Sequence, residues 1–197
     1  MTTAPLVGVL ALQGAVAEHQ RALLASGAQT RLVRRRGDLD GLQGLVVPGG
    51  ESTVMARLAA PVNLLPAIRR RHDEGMAVFG TCAGLILLAQ RVCDPGALEG
   101  FDRIGGLDVV VRRNAYGTQL DSFEEQLSIS GLDSPIPAVF IRAPVIEEVS
   151  GNNVEVLAQA RGKAAAVRQG NLLAASFHPE LTEDHRLHRM FVDIAAQ

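Results

Sequence analysis

The chain has 197 residues, of which 47% are hydrophobic and 20% are charged, and its formal net charge is −2 at pH 7. This composition excludes an intrinsically disordered protein and gives no general field that attracts nucleic acid or an anionic membrane. With no Trp, one Tyr and six Phe, the core must be aliphatic, which is typical of a parallel sheet buried on both faces. We expect one domain over residues 1–197, with no nucleic-acid or membrane partner.

The two cysteines, Cys82 and Cys93, form neither a CxxC pair nor a disulfide framework, so we expect a cytoplasmic protein. The N-terminal apolar stretch lacks the flanks of a signal peptide, and no apolar run approaches the ~20 residues that span a bilayer. Basic runs at 34–36 and 69–72 are either solvated faces or contacts to a partner or anion.

Strand and helix patterns alternate through the first half of the chain. The sequence predicts a strand in PLVGVLALQG, a helix over 15–26 that stops at Gly27, and strands in AQTRLVRR and GLVVPGG. It then predicts a helix in VMARLA capped by Ser52 or Thr53, a helix over 62–74, a strand in MAVFG and a helix in AGLILLAQRV. This alternation is typical of βαβ units around a parallel sheet.

The second half consists mainly of short strand patterns, in LDVVVRR, EQLSIS, AVFIRAP, VEVLAQA, KAAAVRQ and LLAASF. Only residues 182–195 have a clear helix pattern. The predicted fold is therefore α/β with three layers: a mostly parallel central sheet, flanking helices and additional antiparallel strands.

The first candidate site is the pentapeptide GTCAG over residues 80–84, with Cys82 at its centre. Its G-x-nucleophile-x-G form is that of the hydrolase elbow, in which the turn strains the central residue and small neighbours let strand and helix approach. A thiol at a helix N-terminus faces N–H groups that favour thiolate. The alternative is a small buried apolar cysteine, and the pentapeptide alone leaves the choice open. For Cys93 the buried packing role is favoured.

The second candidate site is SFHPE, where His178 and Glu180 project to the same side if the segment is extended and Pro179 prevents a helix. A carboxylate beside an imidazole orients the ring and favours its protonated form, although such charged pairs at strand ends are common without function. With Cys82 as nucleophile, His178 would be the base and Glu180 its orienting group, which together form a catalytic triad.

Three weaker candidates complete the set. The glycines of PGGES can bring backbone N–H groups to a substrate oxygen, or can form only a turn before a helix cap. The other two candidates are the arginines at the ends of apolar strands, Arg112-Arg113 in RRNAYG and Arg142 in FIRAP. Each could bind a substrate carboxylate or form a surface ion pair.

Together, GTCAG, SFHPE and PGGES resemble the class I glutamine amidotransferases, whose fold is flavodoxin-like and whose triad is Cys-His-Glu. Within that class the chain is similar to the glutaminase subunits of pyridoxal 5′-phosphate synthase, the PdxT family, in register from residue 6 to about 193. The stretches that carry this resemblance are LALQGAVAEH, PGGEST, FGTCAGLILLA, RRNAYGTQLDSFE, VFIRAP and SFHPELTEDHRLHRMFV.

The resemblance implies hydrolysis of L-glutamine to L-glutamate and ammonia, with no cofactor and no metal. The ammonia would pass to a separate (β/α)8-barrel synthase subunit of the PdxS family, in a large hetero-oligomer that builds pyridoxal 5′-phosphate from a pentose phosphate and a triose phosphate. The implied catalytic residues are Cys82 as nucleophile, His178 as general acid/base and Glu180 as its orienting partner. The implied glutamine contacts are Gly49, Gly50, Glu51, Ser52, Arg112, Ile141 and Arg142.

The chemistry adds further expectations to this assignment. The oxyanion of the tetrahedral intermediate needs donors, and the backbone N–H groups of Ala83 and Gly50 are the candidates. The loop with Gln13 and Gly14 is predicted to transmit docking of the synthase. One departure concerns Thr118 in YGTQ, where family members commonly carry a basic residue. It bears on a charged partner contact and leaves the triad untouched.

Two rival functions remain at this point. One is a glutaminase subunit of another synthase, for example in histidine or anthranilate biosynthesis. The stretches LQGAVAEH and TEDHR make this function less favoured. The other is a flavodoxin-like redox or binding protein without amidase activity, which would need neither His178 nor Glu180.

Overall fold

A computed structural model describes residues 4–113 and 122–197 of the chain. The strands, in chain order, are β1 Leu6–Leu10, β2 Gln29–Val33, β3 Gly44–Val47, β4 Ala77–Thr81, β5 Ala89–Val92, β6 Leu107–Arg112, β7 Phe123–Leu127, β8 Ile136–Phe140, β9 Val145–Val149, β10 Glu155–Ala160, β11 Lys163–Gln169 and β12 Leu172–Ala175. The α-helices are α1 Val16–Ala25, α2 Ser52–Ala59, α3 Leu64–Asp73, α4 Ala83–Leu88 and α5 Arg186–Ala195.

The main sheet has the strand order β2-β1-β3-β4-β12-β11-β9-β6-β5, with β10 paired to β11 and a separate β7-β8 hairpin. The strands from β2 to β12 in this order are parallel, whereas β11 runs antiparallel to β12, β9 and β10. The predicted mostly parallel sheet with added antiparallel strands is confirmed.

Helices cover both faces of the parallel half, because its strands are apolar on both sides. All four residues of β3 are buried, and neighbours in this strand contribute to opposite faces: Leu45 packs in the core with α2 and α3, and Val46 in the core with α1 and α5. These are the three predicted layers. Among the described residues, no helix is both long enough and apolar enough to cross a membrane.

Several predicted elements require correction. The helix predicted over AGLILLAQRV ends at Leu88, because residues 89–92 form β5 and pair in parallel with β6. Strand β9 was not predicted, since its two glutamates weaken the apolar pattern; one of them, Glu147, binds Arg112 and Lys163. Cys93 is exposed rather than buried, so it does not serve as core packing.

The cap of α2 also differs from the prediction. The side chain of Glu51 accepts hydrogen bonds from the N–H groups of Thr53, at 3.2 Å, and Val54, at 2.9 Å. Glu51 is therefore the N-cap, and Ser52 and Thr53 are buried in the first turn.

Candidate active site

Cys82 lies at the turn between the C-terminal end of β4 and the first residue of α4. Its φ of 49° and ψ of −104° are strained for a residue with a side chain, as the elbow pattern predicts. The neighbouring glycines are required by packing: a Cβ on Gly80 would lie 2.6 Å from the backbone of Gly84, and one on Gly84 would overlap the carbonyl oxygen of Val47. The turn holds the cysteine at the carboxyl edge of the parallel strands.

His178 and Glu180 follow β12, which is the neighbour of β4 in the sheet. His178 Nδ1 lies 2.8 Å from Glu180 Oε1, so the predicted pair forms. The segment is not extended, because Pro179 begins a 3₁₀ turn over Pro179–Leu181. Proline suits the first position of such a turn, where no N–H is needed, and the turn brings both side chains to the same side.

The charge on His178 is set by opposing effects. Burial lowers the pKa of His178, but hydrogen bonds and charge interactions with Cys82 and Glu180 outweigh it and raise this pKa to about 10. The imidazole therefore carries a proton at neutral pH. Burial likewise raises the pKa of Glu180, but the hydrogen bond to His178 and the nearby His19 lower it on balance, so the carboxylate stays ionised.

The glycine turn after β3 packs directly on these groups. A Cβ on Gly49 would overlap the ring of His178, so this position requires glycine. Gly50 has a φ of 150°, within the region that favours glycine. The loop after β1 contacts the same turn, because Gln13 Oε1 accepts a hydrogen bond of 2.9 Å from the Glu51 N–H. A Cβ on Gly14 would overlap the carbonyl oxygen of Gly49.

A cavity of about 340 Å³ opens above the cysteine, within the size range of small-molecule sites. It contains most of the predicted substrate-binding residues. Its lining consists of Gln13, Gly50, Glu51, Ser52, Cys82, Ile86, Arg113, Ile141, Arg142, Pro144 and His178. A larger cavity of about 560 Å³ lies over the antiparallel strands, between Asp108 and Glu148, and contains none of the predicted site residues.

The predicted contact by Arg112 is not brought into the cavity. Its exposed guanidinium binds Glu147 at 2.7 Å, and this interaction raises the pKa of Arg112. The next residue, Arg113, lines the cavity instead, and its side chain is only 14% exposed. Successive residues of a strand point to opposite faces, so the sequence Arg112-Arg113 did not identify which of the two arginines lines the cavity. Thr118 lies outside the described residues.

The positions named as oxyanion donors both lie close to the cysteine. Ala83 is the first residue of α4 and is buried, and Gly50 is on the cavity wall. Among residues 4–113 and 122–197, no three His, Cys, Asp or Glu side chains cluster in a way that could hold a metal ion.

Comparison with known proteins identifies the family. The model of the SNO glutamine amidotransferase family matches residues 9–197. The chain belongs to the SNO glutamine amidotransferase family. Among curated relatives, the protein of Nocardioides sp. is 52% identical over all of this chain and 99% of its own length. The protein of Parafrankia sp. is 56% identical over 98% of this chain and 94% of its own length. Both are named pyridoxal 5′-phosphate synthase subunit PdxT.

Solved structures agree with this membership. A crystal structure described as a glutamine amidotransferase is 48% identical, covers 97% of this chain and 99% of its own, and has a TM-score of 0.89. The structure of PurLQS from Thermotoga maritima is 17% identical, covers 98% of this chain and 95% of the matched chain, and has a TM-score of 0.61. At that identity the second likeness concerns the fold alone. As a member of the SNO family, the chain has the class I glutamine amidotransferase architecture predicted from its motifs.

Proposed function

We propose that this chain hydrolyses L-glutamine to L-glutamate and ammonia, as the glutaminase subunit of a pyridoxal 5′-phosphate synthase. One observation carries the proposal: His178 lies between the thiol of Cys82 and the carboxylate of Glu180, 2.8 Å from the latter, on a cavity wall. The names of the curated relatives support the choice of synthase over the rivals.

The chemistry of each step follows from these three residues. The Cys82 sulfur attacks the carboxamide carbon, and the C–N bond breaks as His178 gives its proton to the departing ammonia. Water then attacks the thioester, His178 takes a proton from that water, and the C–S bond breaks to release glutamate. Glu180 holds the imidazole in the required orientation throughout.

The oxyanion requires donors that are in place before the reaction. The backbone N–H groups of Ala83 and Gly50 are proposed for this role, because Ala83 directly follows Cys82 and Gly50 lines the same cavity. Loss of one such donor typically costs ~10²–10³ in rate, or about 3–4 kcal/mol. A misplaced glycine turn would therefore be enough to keep the site inactive.

The cavity wall is suited to a zwitterionic amino acid. Arg113 and Arg142 offer positive charge for an α-carboxylate, and the carboxylate of Glu51 offers negative charge for an α-ammonium group. Gly49, Ser52 and Ile141 complete the proposed glutamine site. Arg142 has a φ of 43°, a strained conformation of the kind found at ligand-binding positions.

The ammonia is proposed to pass to a synthase subunit of the PdxS family, in a cytoplasmic hetero-oligomer. Gln13 and Gly14 contact the Gly49-Gly50 turn, so a partner that moves their loop would move the candidate oxyanion donor. We therefore propose that docking of the synthase activates the glutaminase, which acts as a single domain without a cofactor.

The test is ammonia release from glutamine by the purified chain, alone and with the synthase subunit. Wild type should be active with the synthase, whereas Cys82→Ala and His178→Ala should each abolish release. A matched control is Cys93→Ala, which removes the exposed cysteine and should leave activity unchanged. No release by the wild-type complex would contradict the glutaminase function, and equal rates with and without synthase would contradict the activation.

A further inference from the structure

A chain of buried polar side chains lies behind the proposed triad and has no part in the steps above. His19 on α1 and His188 on α5 are both 0% exposed. His19 Nδ1 lies 3.0 Å from His188 Nε2, while His19 Nε2 lies 3.2 Å from Thr81 Oγ1 and 3.4 Å from Glu180 Oε2. Burial is the main cause that lowers the pKa of both imidazoles, so both rings are neutral at pH 7.

Hydrogen-bond accounting selects the tautomers of this pair. Two assignments put a proton between the rings, since each neutral imidazole has one N–H. If His19 donated from Nδ1, its bare Nε2 would face the Glu180 carboxylate, and the Nδ1–H of His188 would be buried with no acceptor among the described residues. If His188 donates from Nε2, His19 presents an N–H to Thr81 and Glu180, and neither imidazole N–H is left without an acceptor. The second assignment is favoured because it pairs both imidazole N–H groups and turns an N–H, rather than a bare nitrogen, toward the Glu180 carboxylate.

The two oxygens of the Glu180 carboxylate have different surroundings. Oε1 binds His178, whereas Oε2 is buried without a hydrogen-bond partner among residues 4–113 and 122–197. The Nε2–H of His19, 3.4 Å away, supplies the positive potential that this oxygen otherwise lacks. Since Thr81 directly precedes Cys82, the same imidazole is also hydrogen-bonded to the strand that carries the nucleophile.

We propose that His19, held as its Nε2–H tautomer by His188, is a positioning residue that keeps the Glu180 carboxylate ionised and directed at His178. This inference rests on the proposed function of Glu180 as the partner of the catalytic imidazole. It extends the series of polar contacts from the active-site cavity to α1 and α5.

The surrounding charges are consistent with a neutral His19. The groups that act on it are Glu180 and His178 from the loop after β12, and Glu18 from its own helix. His188 faces it from α5, and His185 in turn faces His188 with ring centroids 6.3 Å apart. Because His178 is already cationic, a proton on His19 would place a second positive charge beside it.

The experiment compares His19→Leu and His19→Gln in the full chain with its synthase subunit. Leucine removes both ring nitrogens, whereas the glutamine amide can replace the Nε2–H donor. The matched control is Leu23→Ala, one turn further on α1 and equally buried, which loses packing without touching Glu180. The readouts are kcat and KM for glutamine, and titration of the His178 ring nitrogens by ¹⁵N NMR.

His19→Leu should lower kcat about 10-fold with KM unchanged, the size typical of lost outer hydrogen-bonding partners. It should also shift the His178 titration to lower pH, because the carboxylate that supports the imidazolium is no longer held in place. His19→Gln should restore most of both properties, and Leu23→Ala should lower only the melting temperature.

Unchanged kcat and His178 titration in His19→Leu would overturn the inference, as would a glutamine variant no better than leucine. A wild-type ¹⁵N spectrum with His19 protonated on Nδ1 would also overturn it, and this measurement needs no variant to fold. These outcomes are distinct from failure of the glutaminase proposal. A wild-type complex that releases no ammonia contradicts that function, whereas an active wild type with a normal His19→Leu variant contradicts only the role of His19.

Discussion

The guanidinium of Arg113 lies 3.5 Å from the carboxylate of Glu51, on the wall of the cavity that also contains Cys82. The ion pair joins the end of β6 to the N-cap of α2, so two elements distant in the sequence share one side of the candidate glutamine site. The preceding residue, Arg112, points away and binds Glu147.

The two arginines form a natural pair for mutation. Arg113→Ala should raise KM for glutamine roughly 10- to 100-fold, because a hydrogen bond to a charged group contributes about 1.5–3 kcal/mol. Arg112→Ala should change KM less than about 2-fold, since exposed ion pairs contribute little. Steady-state kinetics of the complex measures both. Equal effects of the two substitutions would count against Arg113 as the carboxylate clamp.

Gly84→Ala should destabilise the fold by about 3 kcal/mol or more, because the added methyl group would overlap the backbone of Val47, which cannot move aside alone. Gly37→Ala is the control: nothing lies within 4 Å of its Cβ position, and the effect should stay below about 1 kcal/mol. Urea denaturation followed by circular dichroism gives both free energies. A Gly84→Ala variant as stable as wild type would contradict the close strand–helix contact at the elbow.

The raised pKa of His178 predicts a pH dependence of stability. A pKa of about 10 in the folded chain, above its ordinary value of 6.5, means that the folded state holds a proton that the unfolded state releases. The stabilisation is fully present below pH 6.5 and is lost as the pH rises toward 10. The free energy of unfolding of wild type, minus that of His178→Gln, should therefore fall over this interval.

The same measurement on Glu180→Gln provides the control. Without the carboxylate, one of the groups that raises the pKa of His178 is removed, so the fall should be smaller and should occur at lower pH. Parallel stability curves for wild type and His178→Gln between these pH values would show that no such proton is held.

Gln13→Ala should lower glutamine turnover by the complex about 5-fold, because loss of a hydrogen bond worth about 1 kcal/mol frees the Glu51 N–H and loosens the adjacent glycine turn. Gln43→Ala is a matched control: Gln43 Oε1 accepts a hydrogen bond of 3.2 Å from the Leu6 N–H, at the other end of β1. It should leave turnover unchanged. A loss of equal size in both variants would indicate general destabilisation rather than a role of the Gln13 loop.

Local patterns in the sequence determined much of the candidate site. Gly80 and Gly84 are required by the close approach of strand and helix at this turn, so the elbow could be predicted from five residues. The sequence could not place Arg113, because strand alternation gives two faces without saying which is inward. Nor could it bring His19 to His188, which are separated by 169 positions and meet only after α1 and α5 pack on the same face.

The end of α4 shows a second limit of predicting structure from the sequence. AQRV continues the apolar pattern of LILL, and the change from α4 to β5 arises from parallel pairing with β6, a partner that is distant in the chain. Local preference was overridden there by a long-range contact.

The pairing of β4 with β12 has a consequence for how such an enzyme can be controlled. Thr81 is in register with Ala175, and the N–H of Cys82 donates to the carbonyl of Ala175 at 2.9 Å. The backbone pairing of these two strands therefore fixes the spacing between the Cys82 nucleophile and the His178 base. The glycine turn and the Gln13 loop belong to separate connections and can be adjusted independently. A partner that moves the glycine turn can thus change the proposed oxyanion donors while the spacing of Cys82 and His178 stays the same.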